Sequence, residues 1–185
     1  MGVRRSPSAV LGFALVFGAC LLPSCHRRAP GPELPVVPRV ELERYAGTWY
    51  EVARYPHRFQ EGCYASRATY LLREDGRLDV RNECREGSPD GEVRSVEGVA
   101  KVVDPTTNAK LRVSFFRPFY GDYWIIDLGP AYEYAVVGHP SRKYLWVLSR
   151  TPSLPEPIYR GIETRLSRLG YDPSRLRLEE GSLRP

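Results

Sequence analysis

The feature that most constrains the fold is a series of short segments between Gly47 and Pro152 in which apolar and polar residues alternate. Alternation with a period of two directs one face of a strand to a core and the other to water. Turn residues such as Asp75-Gly76 and Gly129-Pro130 separate the segments. The predicted strands cover 47–54, 64–72, 78–85, 93–103, 110–116, 123–127, 132–138 and 144–151.

Eight short strands joined by short links favour pairing between neighbours in the sequence. The pattern therefore predicts an all-β fold, an eight-stranded up-and-down antiparallel β-barrel. After the last strand the period changes, because Ile158, Ile162, Leu166 and Leu169 recur at three or four residues. This spacing predicts one C-terminal α-helix over about 155–169, packed on the outside of the barrel.

The N-terminus has the pattern of an export signal over residues 1–24. Two arginines precede an apolar run that is shorter than the roughly 20 residues of a spanning helix. Leu22-Pro23-Ser24-Cys25 resembles the lipobox of bacterial lipoproteins, and this resemblance implies cleavage before Cys25 and lipidation of its thiol. Cys20 is an alternative lipidation site, and an ordinary secretory signal is an alternative for the whole segment.

The remaining chain divides by composition. Residues 25–39 are predicted to be a lipidated cysteine followed by a proline-rich, extended tether. Residues 40–180 are predicted to form the barrel domain, and residues 181–185 a tail. The net charge of +5 is spread among interleaved acids and bases, as in 81–86, which predicts no nucleic-acid partner. The spacing of ligating residues predicts no metal and no cofactor.

Three short motifs carry a family resemblance: Gly47-Thr48-Trp49-Tyr50, Gly121-Asp122-Tyr123-Trp124 and Ser149-Arg150-Thr151-Pro152. Together they resemble the signatures of bacterial lipocalins of the outer-membrane lipoprotein type, related to plant temperature-induced lipocalins and apolipoprotein D. The resemblance runs from about residue 40 to 178. Strand counting independently places Trp49 beside Arg150, so these two residues and Gly47 are predicted to form a structural signature at the closed end.

The resemblance implies a membrane-anchored, non-enzymatic protein that holds a fatty acid or lysophospholipid for storage or transport. It also implies an outer-membrane location facing the periplasm, and it allows a homodimer. Strand counting places the loops at 54–60, 86–92, 117–121 and 139–143 at the open end. The predicted ligand-binding residues are Tyr55, Arg58, Phe59, Tyr70, Val80, Asn82, Val113, Phe115, Arg117, Tyr134 and Arg142.

An exported pair of cysteines, Cys63 and Cys84, predicts a disulfide. Strict alternation places Cys84 on the inward face and Cys63 on the outward one, so the bond requires a bulge near 62–65 or a Cys63 in the loop. Two alternatives stay open. One is an enzyme acting through a reactive Cys63, by analogy with lipocalin-type prostaglandin D synthase. The other is a solid barrel that acts as an interaction module.

Overall fold

Eight antiparallel strands, β1 to β8, follow one another around a sheet that closes where β8 pairs with β1. The strand bounds are Gly47–Arg54, Cys63–Leu72, Leu78–Glu86, Val93–Val102, Lys110–Phe116, Phe119–Leu128, Tyr134–Gly138 and Leu145–Ser149. The predicted barrel is therefore confirmed. The computed structural model describes residues 1–2 and 32–185. Both candidate lipidation cysteines, the signal segment beyond residue 2 and residues 26–31 lie outside the described residues.

The largest difference in strand bounds is in β6, which begins at Phe119 rather than at Tyr123. Pro118 and Gly121 favoured a loop there in the sequence. Gly121 is instead an ordinary strand residue opposite Val113, and Phe119 pairs with Phe116. The β5–β6 connection is consequently a tight turn with aromatic residues on both sides.

In residues 32–185 there is one long helix, α2, which spans Glu156–Arg168 and lies outside the barrel, as predicted. Its buried residues are Tyr159, Ile162 and Leu166, which share one core cluster with Val136 and Val147 from the outer faces of β7 and β8. A second cluster fills the barrel interior and includes Trp49 and Leu111. Among the described residues, no helix is long and apolar enough to cross a membrane.

Residues on both sides of the predicted 40–180 domain contact it in the structure. Leu34 is 1% exposed in the cluster beneath α2, and the Val37 amide donates to the Ile125 carbonyl at 3.0 Å. Residues 32–39 therefore pack on the domain. The apolar side chains that lie between the prolines in the sequence are buried or half-buried against it. At the other terminus, β11 (Leu183–Arg184) pairs with β9 (Leu154–Pro155), so the predicted tail also belongs to the domain.

The barrel wall has an irregular seam between β1 and β2. These strands pair only along Gly47–Tyr50, and beyond that point β10 (Arg177–Leu178) pairs with Ala53 and Arg54 of β1. A bulge in β2 falls between Tyr64 and Arg67. Thus β10 pairs with the end of β1 that β2 does not reach.

Candidate functional site

The closed end of the barrel is built around Trp49, whose ring is fully buried. The Arg150 Cζ atom lies 3.8 Å from the Trp49 ring centroid, and Arg150 Nη1 donates to the Thr48 carbonyl at 3.0 Å. Arg150 Nη2 also donates to the Arg44 carbonyl, at the end of α1 (Leu42–Tyr45). A guanidinium over an indole is favourable by about 0.5–2 kcal/mol. The predicted contact between Trp49 and Arg150 is confirmed.

Gly47 is required at this end for a backbone reason. Its φ of +92° lies in the region that favours glycine, and an added Cβ would lie 3.4 Å from Arg150 Nη1. Gly47, Trp49 and Arg150 thus act together in closing the barrel.

Three tyrosine hydroxyls meet above this closed end. The Tyr123 oxygen lies 2.7 Å from that of Tyr45 and 2.8 Å from that of Tyr70. Burial raises the pKa of Tyr70 to about 12 and raises the pKa values of Tyr45 and Tyr123 well above their usual value. All three groups are therefore neutral donors. Two contacts use two protons, which leaves the third hydroxyl proton for another acceptor.

Five of the predicted ligand-binding residues face the barrel interior: Tyr70, Val80, Asn82, Val113 and Phe115. Their burial changes along the barrel axis. Tyr70 and Val80 are buried, as are Leu78 and Ala100 at the closed end. Val113 and Phe115 are only half-buried, and Val96, which pairs with Asn82, is 38% exposed. The inward-facing side chains are therefore buried towards the closed end and partly accessible to solvent towards the open end.

Phe115 reaches this interior across Gly98. A Cβ at Gly98 would lie 2.7 Å from Phe115 Cδ1 and 2.6 Å from the Ser114 carbonyl oxygen. Only glycine at this position lets the ring lie against β4.

Asn82 supplies a polar atom to the interior. It lies between Ala68 and Val96 on the inward face, and its Oδ1 is buried without a hydrogen-bond partner among the described residues. Buried polar atoms in native proteins usually have a partner. The hydrogen-bonding capacity of this oxygen is therefore unused by the residues that surround it.

Three other predicted residues, Arg58, Phe59 and Arg117, lie exposed on the open-end loops. Within the described part of the chain, neither arginine forms a side-chain hydrogen bond or ion pair, so both guanidinium groups face solvent. Phe59 is 77% exposed. Its ring centroid lies 5.8 Å from that of His57 and 6.4 Å from that of Tyr144. The open end thus carries a rim of rings and cations.

The remaining three predicted ligand-binding residues lie elsewhere, and we correct their assignment. A bulge between Glu51 and Ala53 reverses the alternation in β1, so Tyr55 faces α2. The Tyr55 hydroxyl donates to the Asp172 carbonyl at 2.8 Å and accepts from the Asp172 amide at 2.7 Å. Its ring is consequently part of the outer core.

Tyr134 also faces α2, because Ala135 and Val137 are the inward residues of β7. Its hydroxyl accepts a hydrogen bond from Arg165 Nη2 at 2.9 Å. Arg142 is tied to two backbone carbonyls, with Nε 2.7 Å from the Leu169 oxygen and Nη2 3.1 Å from the Pro32 oxygen. It therefore holds the end of α2 and the N-terminal segment together.

The predicted disulfide between Cys63 and Cys84 is confirmed, with Cα atoms 5.4 Å apart. The bulge it required is present at Ala65, which has a φ of +47°. The extra residue turns Cys63, the first residue of β2, to the inward side. The bond leaves Cys63 without the free thiol that a reactive-cysteine mechanism needs.

Sequence reasoning missed a buried polar network inside the open end. Glu51 Oε1 accepts from Arg54 Nη1 at 2.5 Å, and Glu51 Oε2 accepts from Gln60 Nε2 at 2.8 Å. Gln60 Oε1 in turn accepts from Trp146 Nε1 at 2.9 Å. Burial raises the pKa of Glu51, while Arg54 and Gln60 oppose the rise. The available signal was Glu51 itself, a charged residue two positions after inward-facing Trp49.

A further carboxylate connects this network to the seam in the wall. Glu179 Oε1 lies 2.5 Å from Arg54 Nη1, and Glu179 Oε2 accepts from the Ala65 amide at 2.9 Å. Glu179 therefore links β1 to the bulge of β2. A cleft of 320 Å³ lies along this seam, where Tyr50, Arg67 and Glu179 are among the lining residues. Its lining mixes both signs of charge and includes Glu51 of the buried network.

A barrel with one packed end, one open end and a single helix on its wall defines a class of cup-shaped β-barrels. The chain belongs to the lipocalin-like family, because the family model described as Lipocalin-like domain matches residues 40–180.

Two relatives illustrate this membership. The chain is 41% identical over 163 residues to "Outer membrane lipoprotein Blc" of Escherichia coli K12, covering 88% of this chain and 91% of the relative. It is 40% identical over 153 residues to "Temperature-induced lipocalin-1" of Arabidopsis thaliana, covering 78% and 81% respectively. Insecticyanin from the tobacco hornworm Manduca sexta shares the fold, with a TM-score of 0.63, 21% identity and coverage of 83% and 88%.

Proposed function

We propose that this protein is a lipid-anchored binding protein of the outer membrane that holds one fatty acid or lysophospholipid in its barrel. The observation that carries the proposal is the contrast within the interior. Inward-facing side chains towards the closed end are buried, whereas Val96, Val113 and Phe115 towards the open end retain accessible surface. A hydrocarbon tail fits the chemistry of these apolar side chains.

The binding energy comes mainly from the tail. Each Å² of apolar surface that leaves water contributes about 25 cal/mol. Asn82 offers its unpartnered Oδ1 to a hydroxyl or amide of the ligand. At the rim, the exposed guanidinium groups of Arg58 and Arg117 are suited to a carboxylate or phosphate. The ligand would therefore lie tail-down, with its head group at the open end.

The anchor is proposed on the lipobox resemblance at Cys25 and on the similarity to an outer-membrane lipoprotein. Acyl chains contribute about 0.8 kcal/mol for each CH₂ that they bury in the bilayer. Metabolic labelling with an alkyne fatty acid tests the site. We expect Cys25→Ser to abolish labelling and Cys20→Ser to preserve it; the reverse result would move the anchor to Cys20.

Binding is tested by filling the barrel towards its open end. Val96 faces inward and its neighbour Ser95 faces outward, so Val96→Trp and Ser95→Trp add the same ring to opposite sides of β4. We expect Val96→Trp to weaken binding of dansyl-labelled undecanoic acid at least tenfold, and Ser95→Trp to leave it unchanged. Equal affinities in the two variants would contradict ligand binding inside the barrel.

Two alternatives to this function make different predictions for the same purified protein. A solid barrel predicts no saturable binding of the dansyl acid and no lipid retained in native mass spectra. An enzyme acting through Cys63 requires a free thiol, and the disulfide with Cys84 consumes it. The disulfide therefore favours binding over this particular chemistry.

A further inference from the structure

Three phenylalanine rings project into solvent at the open end. Phe59 is 77% exposed on the β1–β2 loop, and Phe116 and Phe119 are 75% and 77% exposed on either side of the β5–β6 turn. Phe116 and Phe119 are paired with each other across that turn, and adjoining exposed apolar side chains often mark an interaction surface. We call Phe59, Phe116 and Phe119 the aromatic rim.

The N-terminal segment joins the domain at this same end. Arg142, in the loop between β7 and β8, donates to the Pro32 carbonyl. From there the chain runs towards the closed end, where the Val40 amide donates to the Thr107 carbonyl at 2.7 Å. The direction of residues 32–40 therefore places the start of the domain beside the open end.

Ring and charge contacts connect the β7–β8 loop, where Arg142 binds Pro32, to the aromatic rim. The Tyr144 ring centroid lies 6.4 Å from that of Phe59 and 5.7 Å from that of His139. His139 Nε2 lies 3.8 Å from Asp122 Oδ2, three residues after Phe119. The attachment point and the rim thus belong to one continuous group of loops.

The length of the preceding chain limits how far this end can lie from a membrane. Residues 25–31 separate a lipidated Cys25 from Pro32. At 3.3–3.6 Å per residue, such a segment spans at most about 25 Å. A domain held this closely by its open-end loops has little freedom to turn those loops away from the bilayer.

We propose that the open end of the barrel docks on the bilayer, with the aromatic rim in the interfacial region and Arg58 and Arg117 at lipid phosphates. This proposal rests on the proposed anchor at Cys25. Phenylalanine is among the apolar residues that peripheral proteins bury at the boundary of head groups and acyl chains, and cations near an anionic surface add attraction. The ligand would then pass between membrane and barrel without crossing bulk water.

The charge around the rim also sets an orientation. The β3–β4 side of the open end carries the exposed acids Glu86, Asp90 and Glu92, of which Glu86 is paired with Arg94 at 3.1 Å. An anionic surface repels the carboxylates of Asp90 and Glu92. The domain therefore docks with the β1–β2 and β5–β6 side towards the bilayer and the acidic side tilted away from it.

The test uses residues 25–185 with Cys25→Ser, which keep the whole barrel and remove the acyl anchor. Flotation with phosphatidylethanolamine–phosphatidylglycerol vesicles measures the partition coefficient. We expect the triple variant Phe59→Ser, Phe116→Ser, Phe119→Ser to partition at least tenfold less, about 1.4 kcal/mol by the standard relation. The matched control is Leu71→Ser with Val103→Ser, exposed apolar residues at the closed end, which should partition like the parent.

A dye on a single introduced cysteine provides a second measurement that does not depend on the triple variant folding. An environment-sensitive dye at Phe119→Cys should shift to the blue when vesicles are added, whereas the same dye at Leu71→Cys should not. Docking would be overturned by any of three results. The parent does not bind vesicles, the triple variant and its control lose vesicle binding equally, or the dye shifts equally at positions 119 and 71.

Two further measurements, of oligomeric state and of dansyl-acid binding, distinguish docking on a bilayer from dimerisation and from a failure of the proposed function. If the triple variant converts a dimer to a monomer without changing vesicle binding, the rim is an interface between copies and docking is overturned. Binding of the dansyl acid should be unchanged in the triple variant. Loss of dansyl-acid binding in the parent would contradict the proposed function, whatever the vesicles show.

Discussion

The two ends of this barrel use different means to hold the same eight strands. At the closed end, Trp49 is buried beneath α1 and covered by Arg150, whose guanidinium donates to backbone carbonyls. At the open end, apolar packing gives way to a disulfide, an ion-paired network and unpartnered polar atoms such as Asn82 Oδ1. We therefore expect changes at the closed end to cost more stability than changes at the open end.

The largest expected effect is on Trp49→Ala at the closed end. Removing a fully buried indole leaves a cavity and removes the ring against which the Arg150 guanidinium lies. Such changes lower the free energy of unfolding by about 3–5 kcal/mol. Urea unfolding measures the free energy. Phe59→Ala at the open end is the control and should stay within about 0.5 kcal/mol of the parent. Equal losses would show that the two ends contribute alike.

Removal of the disulfide is the largest change expected from the open end. Cys63 and Cys84 are 21 residues apart, and a crosslink closing a loop of that size contributes about 3 kcal/mol. We expect Cys63→Ala with Cys84→Ala to lose about that much in urea unfolding. Dithiothreitol should destabilise the parent and leave the double variant unchanged; a parent insensitive to reductant would contradict the prediction.

Arg150→Met should cost about 1–3 kcal/mol, because it removes the cation above Trp49 and the donors to the Thr48 and Arg44 carbonyls. Thermal unfolding compares it with Arg117→Met at the rim, whose guanidinium faces solvent. The rim variant should unfold like the parent. A large loss from Arg117→Met would weaken the contrast between the two ends.

Asn82→Leu is expected to act in the opposite sense. Replacing a buried oxygen that lacks a partner with an apolar group should leave stability unchanged or raise it by up to about 1 kcal/mol. Binding of a hydroxyl-bearing lysolipid should weaken relative to the dansyl acid, which calorimetry can measure. Destabilisation by this variant would indicate that Asn82 holds the wall together.

The smallest effect is a pH dependence from His57 at the rim. Burial lowers the pKa of His57, and the charge of Arg54 acts in the same direction. The unfolded chain therefore binds this proton first, near pH 6.5, so stability falls as the pH drops below that value. The loss should be under about 1 kcal/mol, since solvent screens a half-exposed ring. His57→Gln should flatten the difference between unfolding free energies at pH 7.5 and 5.5; identical slopes would refute it.

The fold was predictable because period and turn chemistry agreed along most of the chain. In β3, Leu78, Val80 and Asn82 alternate with polar residues without interruption, and each faces inward as expected. The α2 helix was equally clear, since Ile162 and Leu166 recur at the spacing of one helical face. Local pattern and tertiary position agree in these elements.

The site was less predictable because bulges reverse alternation. One bulge after Glu51 turns Arg54 inward and Tyr55 outward, and a single sequence gives no clear sign of it. The position of the Arg142 side chain was unpredictable for a different reason. Its hydrogen-bond partners, the Pro32 and Leu169 carbonyls, are more than 25 residues away along the chain. The bulge near Cys63 was predictable only because the disulfide demanded it.

Glu179 has a consequence for how such a chain is made. It is the side chain that joins Arg54 of the first strand to the Ala65 amide of the second, across separations of 125 and 114 residues along the chain. A nascent polypeptide cannot form this join before residue 179 has been synthesised. The contact between the first two strands of the barrel thus depends on a residue that follows all eight of them.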